Sequence, residues 1–144
     1  MLPFLPATSH AYLLRAAQSL TDAINAIDDT PRRYAGAHVA ALQATAALLA
    51  ARARPSQGER RAQKNVWVLL AELAPEFSEW ADLFAASAQK RAYAETDSLY
   101  SVSVREADDL IREVDHFLAL IETSLGLDSH LPLSTGLVLR PRSA

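Results

Sequence analysis

The run TPRRYAGAHVAALQATAALLAARAR, residues 30–54, has almost no polar side. Placed on a helix, Tyr34, His38, Ala41, Leu42, Thr45, Leu48 and Leu49 form one stripe, while Gly36, Ala40, Ala47 and Ala50 leave the opposite side equally free of charge. A helix that is apolar all round is a buried helix. Its side chains are mostly alanine, so neighbours can approach closely on every side. Thr30 is placed to accept a hydrogen bond from an orphan N–H, and Pro31 fits the first helical position, where its missing donor costs nothing. The run therefore reads as the central rod of a helical bundle, and the rest of the chain must supply the helices around it.

At 144 residues, half of them hydrophobic, the chain is long enough for one domain with a substantial core. With no cysteines, disulfides, thiolate metal sites and thiol nucleophiles are excluded. A formal net charge of -3 argues neither for nor against a polyanionic partner. The opening MLPFLPATSH carries two prolines, no basic region and too short an apolar run for a signal peptide or a membrane span. The expectation is a cytoplasmic protein without a membrane partner.

Four further helices are legible. Residues 9–27 repeat Leu13, Ala17, Leu20, Ile24 and Ile27 at steps of four and three, with Arg15, Gln18, Ser19, Asp22 and Asn25 facing away. Asp28-Asp29 leads into the rod, which ends at Arg52 and Arg54, where cations suit the negative end of the helix dipole. Pro55-Ser-Gln-Gly58 is the clearest linker. Residues 59–73 are expected as a helix with a basic first half (Arg60, Arg61, Lys64) and an apolar second half (Val66, Trp67, Leu69, Leu70, Leu73). Ala74-Pro75 marks a bend. Residues 76–95 then form a helix burying Phe77, Trp80, Ala81, Phe84 and Ala88.

After a short connection, Ser103-Val-Arg-Glu106 has the Ser-x-x-Glu pattern of a reciprocal cap. The helix it opens has the most regular seam in the chain: Val104, Ala107, Ile111, Val114, Leu118, Ile121 and Leu125, widened by Leu110 and Phe117. Gly126 suits its C-cap. The remainder, LDSHLPLSTGLVLRPRSA, holds no helical period. The reading is all-α, an antiparallel bundle of about five helices over residues 9–126, with an extension at 1–8 and a flexible or strapping tail at 127–144.

The order of these pieces resembles a known family. RYAGAHVAALQATAALLAAR, an aromatic followed by alanines and a histidine, resembles the second helix of HEPN domains, the higher eukaryote and prokaryote nucleotide-binding superfamily. NVWVLLAELAPEFSEWADLFAASAQKRA and VREADDLIREVDHFLALIETSLG extend the likeness to a small stand-alone actinobacterial HEPN branch. The resemblance implies a bundle of four to five helices, commonly dimeric, in a superfamily rich in RNA-cleaving and RNA-binding members. It also implies a link to DNA-repair or polymerase proteins for members of this branch.

The superfamily's nuclease signature is an arginine followed, after four to six residues, by a histidine. Arg33-Tyr-Ala-Gly-Ala-His38 satisfies that spacing. His38 would move the 2′-hydroxyl proton and Arg33 would hold the scissile phosphate. In active members, however, the signature lies late in the bundle, and here it opens the second helix. Arg91 and Arg105 have no histidine at that distance, and Arg112 to His116 is one residue too short. A five-residue step also turns a helix by about 140°, which aims Arg33 and His38 to different sides.

Other candidates are weighed against plainer roles. Glu113-Val-Asp-His116 is one Glu-x-x-His step, and a di-iron bundle needs two, so it reads as a solvated face and no metal is expected. Asp108 and Arg112, four apart, are expected to pair on the helix surface. Arg52, Arg54, Arg60, Arg61 and Lys64 flank the Pro55–Gly58 loop and offer phosphate-backbone contact to RNA or DNA. His10 and His130 lie in terminal segments and suggest no cluster. Leu137-Val-Leu139, followed by Arg-Pro-Arg, is able to strap onto a neighbouring chain. No glycine-rich loop or cofactor fingerprint is present, and four glycines make a nucleotide cradle hard to build. The expected function is a non-catalytic HEPN-like module, a homodimer that binds nucleic acid or a protein partner. A metal-independent ribonuclease using Arg33 and His38 across a dimer is one alternative, and a structural subunit of a larger complex is the other.

Overall fold

The computed structural model describes residues 5–52, 65–96 and 101–132, and among them the secondary structure is entirely helical. Five α-helices follow in order: α1 Ala7–Asn25, α2 Thr30–Arg52, α3 Val66–Leu73, α4 Ser78–Thr96 and α5 Val104–Ser124. A 3₁₀ turn, Pro75–Phe77, joins α3 to α4. The bundle expected from the sequence is the bundle observed.

Helix α2 packs against all four others. Ala37, Ala40, Ala41, Ala44, Ala47 and Leu48 lose all contact with solvent, and Leu49 nearly so. Its length and a mean hydropathy of 1.3 over its most apolar window are enough to cross a membrane, but here the other helices bury much of that apolar surface. On the α1 side the two backbones come close. A Cβ placed on Gly36 would lie 3.1 Å from the Cβ of Ala23. Ser9 reaches across to donate to the Ala47 carbonyl at 2.8 Å, and Ser19 donates to Gln43 at 2.7 Å. Ser19 thus faces α2 instead of solvent, because the true seam of α1 is Ser9, Leu13, Ala16, Leu20 and Ala23. Ile27 lies beyond the helix and is exposed.

The other side of α2 meets rings. Trp67, Phe77, Trp80, Phe84 and Phe117 form a continuous cluster with centroids 4.9–5.9 Å apart, within the range where edge-to-face and offset pairs are favourable.

Local chemistry sets the helix ends. Asp29, not Thr30, caps α2: its carboxylate accepts from the Arg32 N–H at 3.1 Å, which satisfies one orphan donor of the first turn. Asn65 has extended backbone, and its side chain accepts from Trp67 N–H at 2.8 Å, so a continuous helix over 59–73 is ruled out. The helix there starts at Val66, and residues 59–64 lie outside the described residues. The bend at Pro75 and the reciprocal cap of Ser103 and Glu106, both bonds 3.0 Å, are as expected. Gly126, at φ 80°, closes α5: Leu127 N–H bonds to the Glu122 carbonyl and Gly126 N–H to that of Thr123.

Candidate functional site

Arg33 stands in the second turn of α2, facing the C-terminal end of α1 and the first turns of α5. It is buried. One guanidinium nitrogen donates to the carbonyl of Ile24 at 3.0 Å and, at 3.5 Å, to that of Ala23. The other donates to the Asp108 carboxylate at 2.6 Å. These carbonyls belong to the last turn of α1, where that of Ala23 also accepts from the Ala26 N–H at 3.3 Å, so a cation there adds hydrogen bonds at the negative end of the helix dipole. Asp108 therefore pairs with Arg33 and not with Arg112, which turns to Asp109 at 3.2 Å. The planar guanidinium spans two carbonyls and a carboxylate on different elements, which a lone helix-surface pair cannot match.

His38 points the other way, toward α3 and α4. Its Nδ1 lies 3.1 Å from Ser87 Oγ, and its ring meets Trp67 edge-on at 5.7 Å. Because Ser87 Oγ donates to the Phe84 carbonyl at 2.9 Å, it accepts from His38, which fixes the proton on Nδ1. Burial, reinforced by the Arg91 charge, lowers the His38 pKa to about 4. At neutral pH the ring is uncharged. Arg33 and His38 are thus held by different helices and share no bonding partner.

Ser87 opens onto a cleft of about 380 Å³ between α4 and α5. Leu83, Ala86 and Lys90 of α4, Glu106, Asp109, Leu110 and Glu113 of α5, and Tyr34 of α2 complete its lining. The floor is apolar and the α5 rim carries three carboxylates. Lys90 pairs with Glu106 across the mouth, and Asp109 holds Arg112. Burial raises the Tyr34 pKa. Such a lining can take an apolar side chain and hold cations at its edge. It has little to offer a phosphate.

Of the basic corner, Arg52 alone falls within the described residues. It donates to Ser124 Oγ at 2.9 Å and to the Leu73 carbonyl at 3.4 Å, and pairs with Glu76 at 2.6 Å. That ion pair holds the Glu76 carboxyl below its usual pKa. Arg52 ties the C-terminal ends of α2, α3 and α5 together. Arg54, Arg60, Arg61 and Lys64 lie outside the described residues. Glu113 and His116 are exposed, and the His116 ring packs against Trp80 at 5.4 Å. Among the described residues no group of three or more His, Asp or Glu is arranged to hold a metal ion.

His130, expected to stand alone, belongs to a cluster. Nδ1 is 2.6 Å from Glu122 and Nε2 is 2.6 Å from Asp115, which is buried. These bonds, first the one to Asp115, raise the His130 pKa to about 9. The ring is charged at neutral pH and clasps residues 127–132 to α5. Asp115 and Glu122 are seven apart and so share one flank of the helix, a spacing visible in the sequence. That a histidine eight residues past Glu122 would fold back between them is not. Ser87 had a weak signal of its own, since it continues the apolar stripe of Phe77, Trp80 and Phe84.

No curated protein and no solved structure matches the chain. A family model does: SAV_6107-like HEPN, over residues 24–122. That match spans well over half the chain and includes α2, α3, α4 and nearly all of α5. The all-helical bundle and the family match lead to one conclusion: this chain belongs to the SAV_6107-like HEPN family.

Proposed function

We propose that the protein is a non-catalytic HEPN module that acts by binding another protein in the cleft between α4 and α5. The observation that carries this reading is the cleft itself: an apolar floor under a rim with three carboxylates. A protein segment with apolar and cationic side chains fits it better than RNA or DNA, whose phosphates those carboxylates repel. Arg52, the described member of the basic corner, already serves Glu76, Ser124 and Leu73. The ribonuclease alternative loses support from Arg33, whose guanidinium is turned to Ala23, Ile24 and Asp108, and from a His38 ring hydrogen-bonded to Ser87.

Charge reversal on the rim tests the proposal. A protein captured by the wild type and reconstituted from purified components should bind D109K/E113K about tenfold or more weakly. Undiminished binding by that variant counts against the cleft. So does a gel shift with RNA that weakens steeply with salt and survives the reversal. RNA incubated with the protein in EDTA is expected to stay intact, and cleavage abolished by His38→Ala would restore the enzyme reading.

A further inference from the structure

We infer that the cleft between α4 and α5 is the seat of the chain's own segment 137–142, Leu-Val-Leu-Arg-Pro-Arg, which competes there with a protein ligand. This rests on the cleft being a protein-binding surface. The segment supplies Leu137 and Leu139 on one side of an extended strand for a floor made by Leu83, Ala86 and Leu110, and Arg140 and Arg142 on its other side for a rim carrying Asp109 and Glu113.

The spacing fits as well as the charge. A proline disfavours helical backbone in the residue before it, which suits Arg140-Pro141 to an extended seat. In an extended chain, residues two apart point the same way, about 6.6 Å from one another. Asp109 and Glu113 are four apart on α5, neighbours on one face about 6 Å apart along the axis. Arg140 and Arg142 thus match the two carboxylates in pitch. At Asp109 the incoming arginine displaces Arg112, and at the mouth Lys90 stays with Glu106.

The path is anchored. From Gly126 the chain turns back along α5, held first by Glu122 and then, through His130, by Asp115. It therefore heads toward the turns that carry Glu113 and Asp109. Those residues lie on the other flank of α5, since the two-residue step from Asp115 to Glu113 turns about 200°. Ten residues from His130 to Arg140 reach up to about 35 Å, enough to round a helix about 10–12 Å across.

The test adds a synthetic peptide of residues 136–143 to three full-length chains: wild type, R140E/R142E and D109K/E113K. If the segment occupies its own cleft, R140E/R142E binds the peptide at least about tenfold tighter than wild type, because the site is vacated, and D109K/E113K does not bind. Equal binding by wild type and R140E/R142E, lost in D109K/E113K, overturns the inference while leaving the cleft a protein site. No binding by any form removes both. A photo-reactive residue at position 139 supplies the direct readout. A cross-link to α4 within one chain supports the inference, and one formed only between differently tagged chains overturns it in favour of a second copy.

Discussion

The two sides of α2 are packed by opposite means. Toward α1 the close approach is that of Gly36 on Ala23, within a seam where Ala16, Ala40 and Ala47 are fully buried and only Leu13 and Leu20 are bulky. Toward α3, α4 and α5 it is made of Trp67, Phe77, Trp80, Phe84 and Phe117, large flat groups that bury much area. Polar pins differ in the same way. The alanine side is tied by the Ser9 hydroxyl and a buried guanidinium to helix carbonyls, and the ring side by a neutral histidine against a serine. The cleft opens on the ring side, farther along α4 and α5, where that cluster ends. Close packing of small residues leaves no such opening, so the surface available for recognition lies with the bulky residues.

The comparison breaks most visibly at Phe84. Fully buried among three other rings, Phe84→Ala should lower unfolding free energy by about 3–5 kcal/mol in urea titration. A loss below about 1 kcal/mol would mean that the ring cluster does not carry its side of the core. On the alanine side, Arg33→Ala should cost about 2–3 kcal/mol, somewhat less than a fully buried pair, because Asp108 is 30% exposed and can rehydrate. Gly36→Val tests the close approach itself. With a Cβ already 3.1 Å from Ala23, the added methyls should destabilise by about 1–3 kcal/mol, while Gly36→Ala stays near neutral as better helix propensity offsets the crowding.

Smaller effects depend on pH. His38 titrates at about 4 in the fold against 6.5 unfolded, so its contribution is whole above 6.5 and is lost as pH falls toward 4. His130 titrates at about 9, so its contribution is whole below 6.5 and is lost as pH rises through 9. Melting temperature should therefore peak near pH 6.5. His130→Gln should flatten the alkaline limb, worth about 1–2 kcal/mol once solvent screening of a partly exposed group is allowed for. His38→Gln should flatten the acid limb. A profile without a peak would show that neither ring is held as described. Smallest of all, Thr45→Val should raise stability by about 1 kcal/mol, because Thr45 Oγ1 is buried with no hydrogen-bond partner among the described residues.

Much of this was legible beforehand. The rod, the Pro75 bend, the Ser103–Glu106 cap and the Gly126 stop are local, set by residues within a turn of one another. Pairings between helices were not. Asp108 and Arg112 obey the four-residue rule, yet Asp108 goes to Arg33, seventy-five residues away, because a buried guanidinium facing carbonyls needs a counter-charge more than an exposed one does. Asp115 reads as part of a solvated face until its helix is placed, where it is buried against His130.

The amino-acid order alone determined that the chain is helical and that residues 30–52 lie at its centre, since periodicity and side-chain size act along a single helix. Tertiary structure alone decided which polar groups meet: Arg33 with the end of α1, His38 with Ser87, His130 with Asp115 and Glu122. Those choices follow from how helices are rotated and brought together, and desolvation then enforces a partner for each buried charge. A short-range pattern carries no information about that rotation.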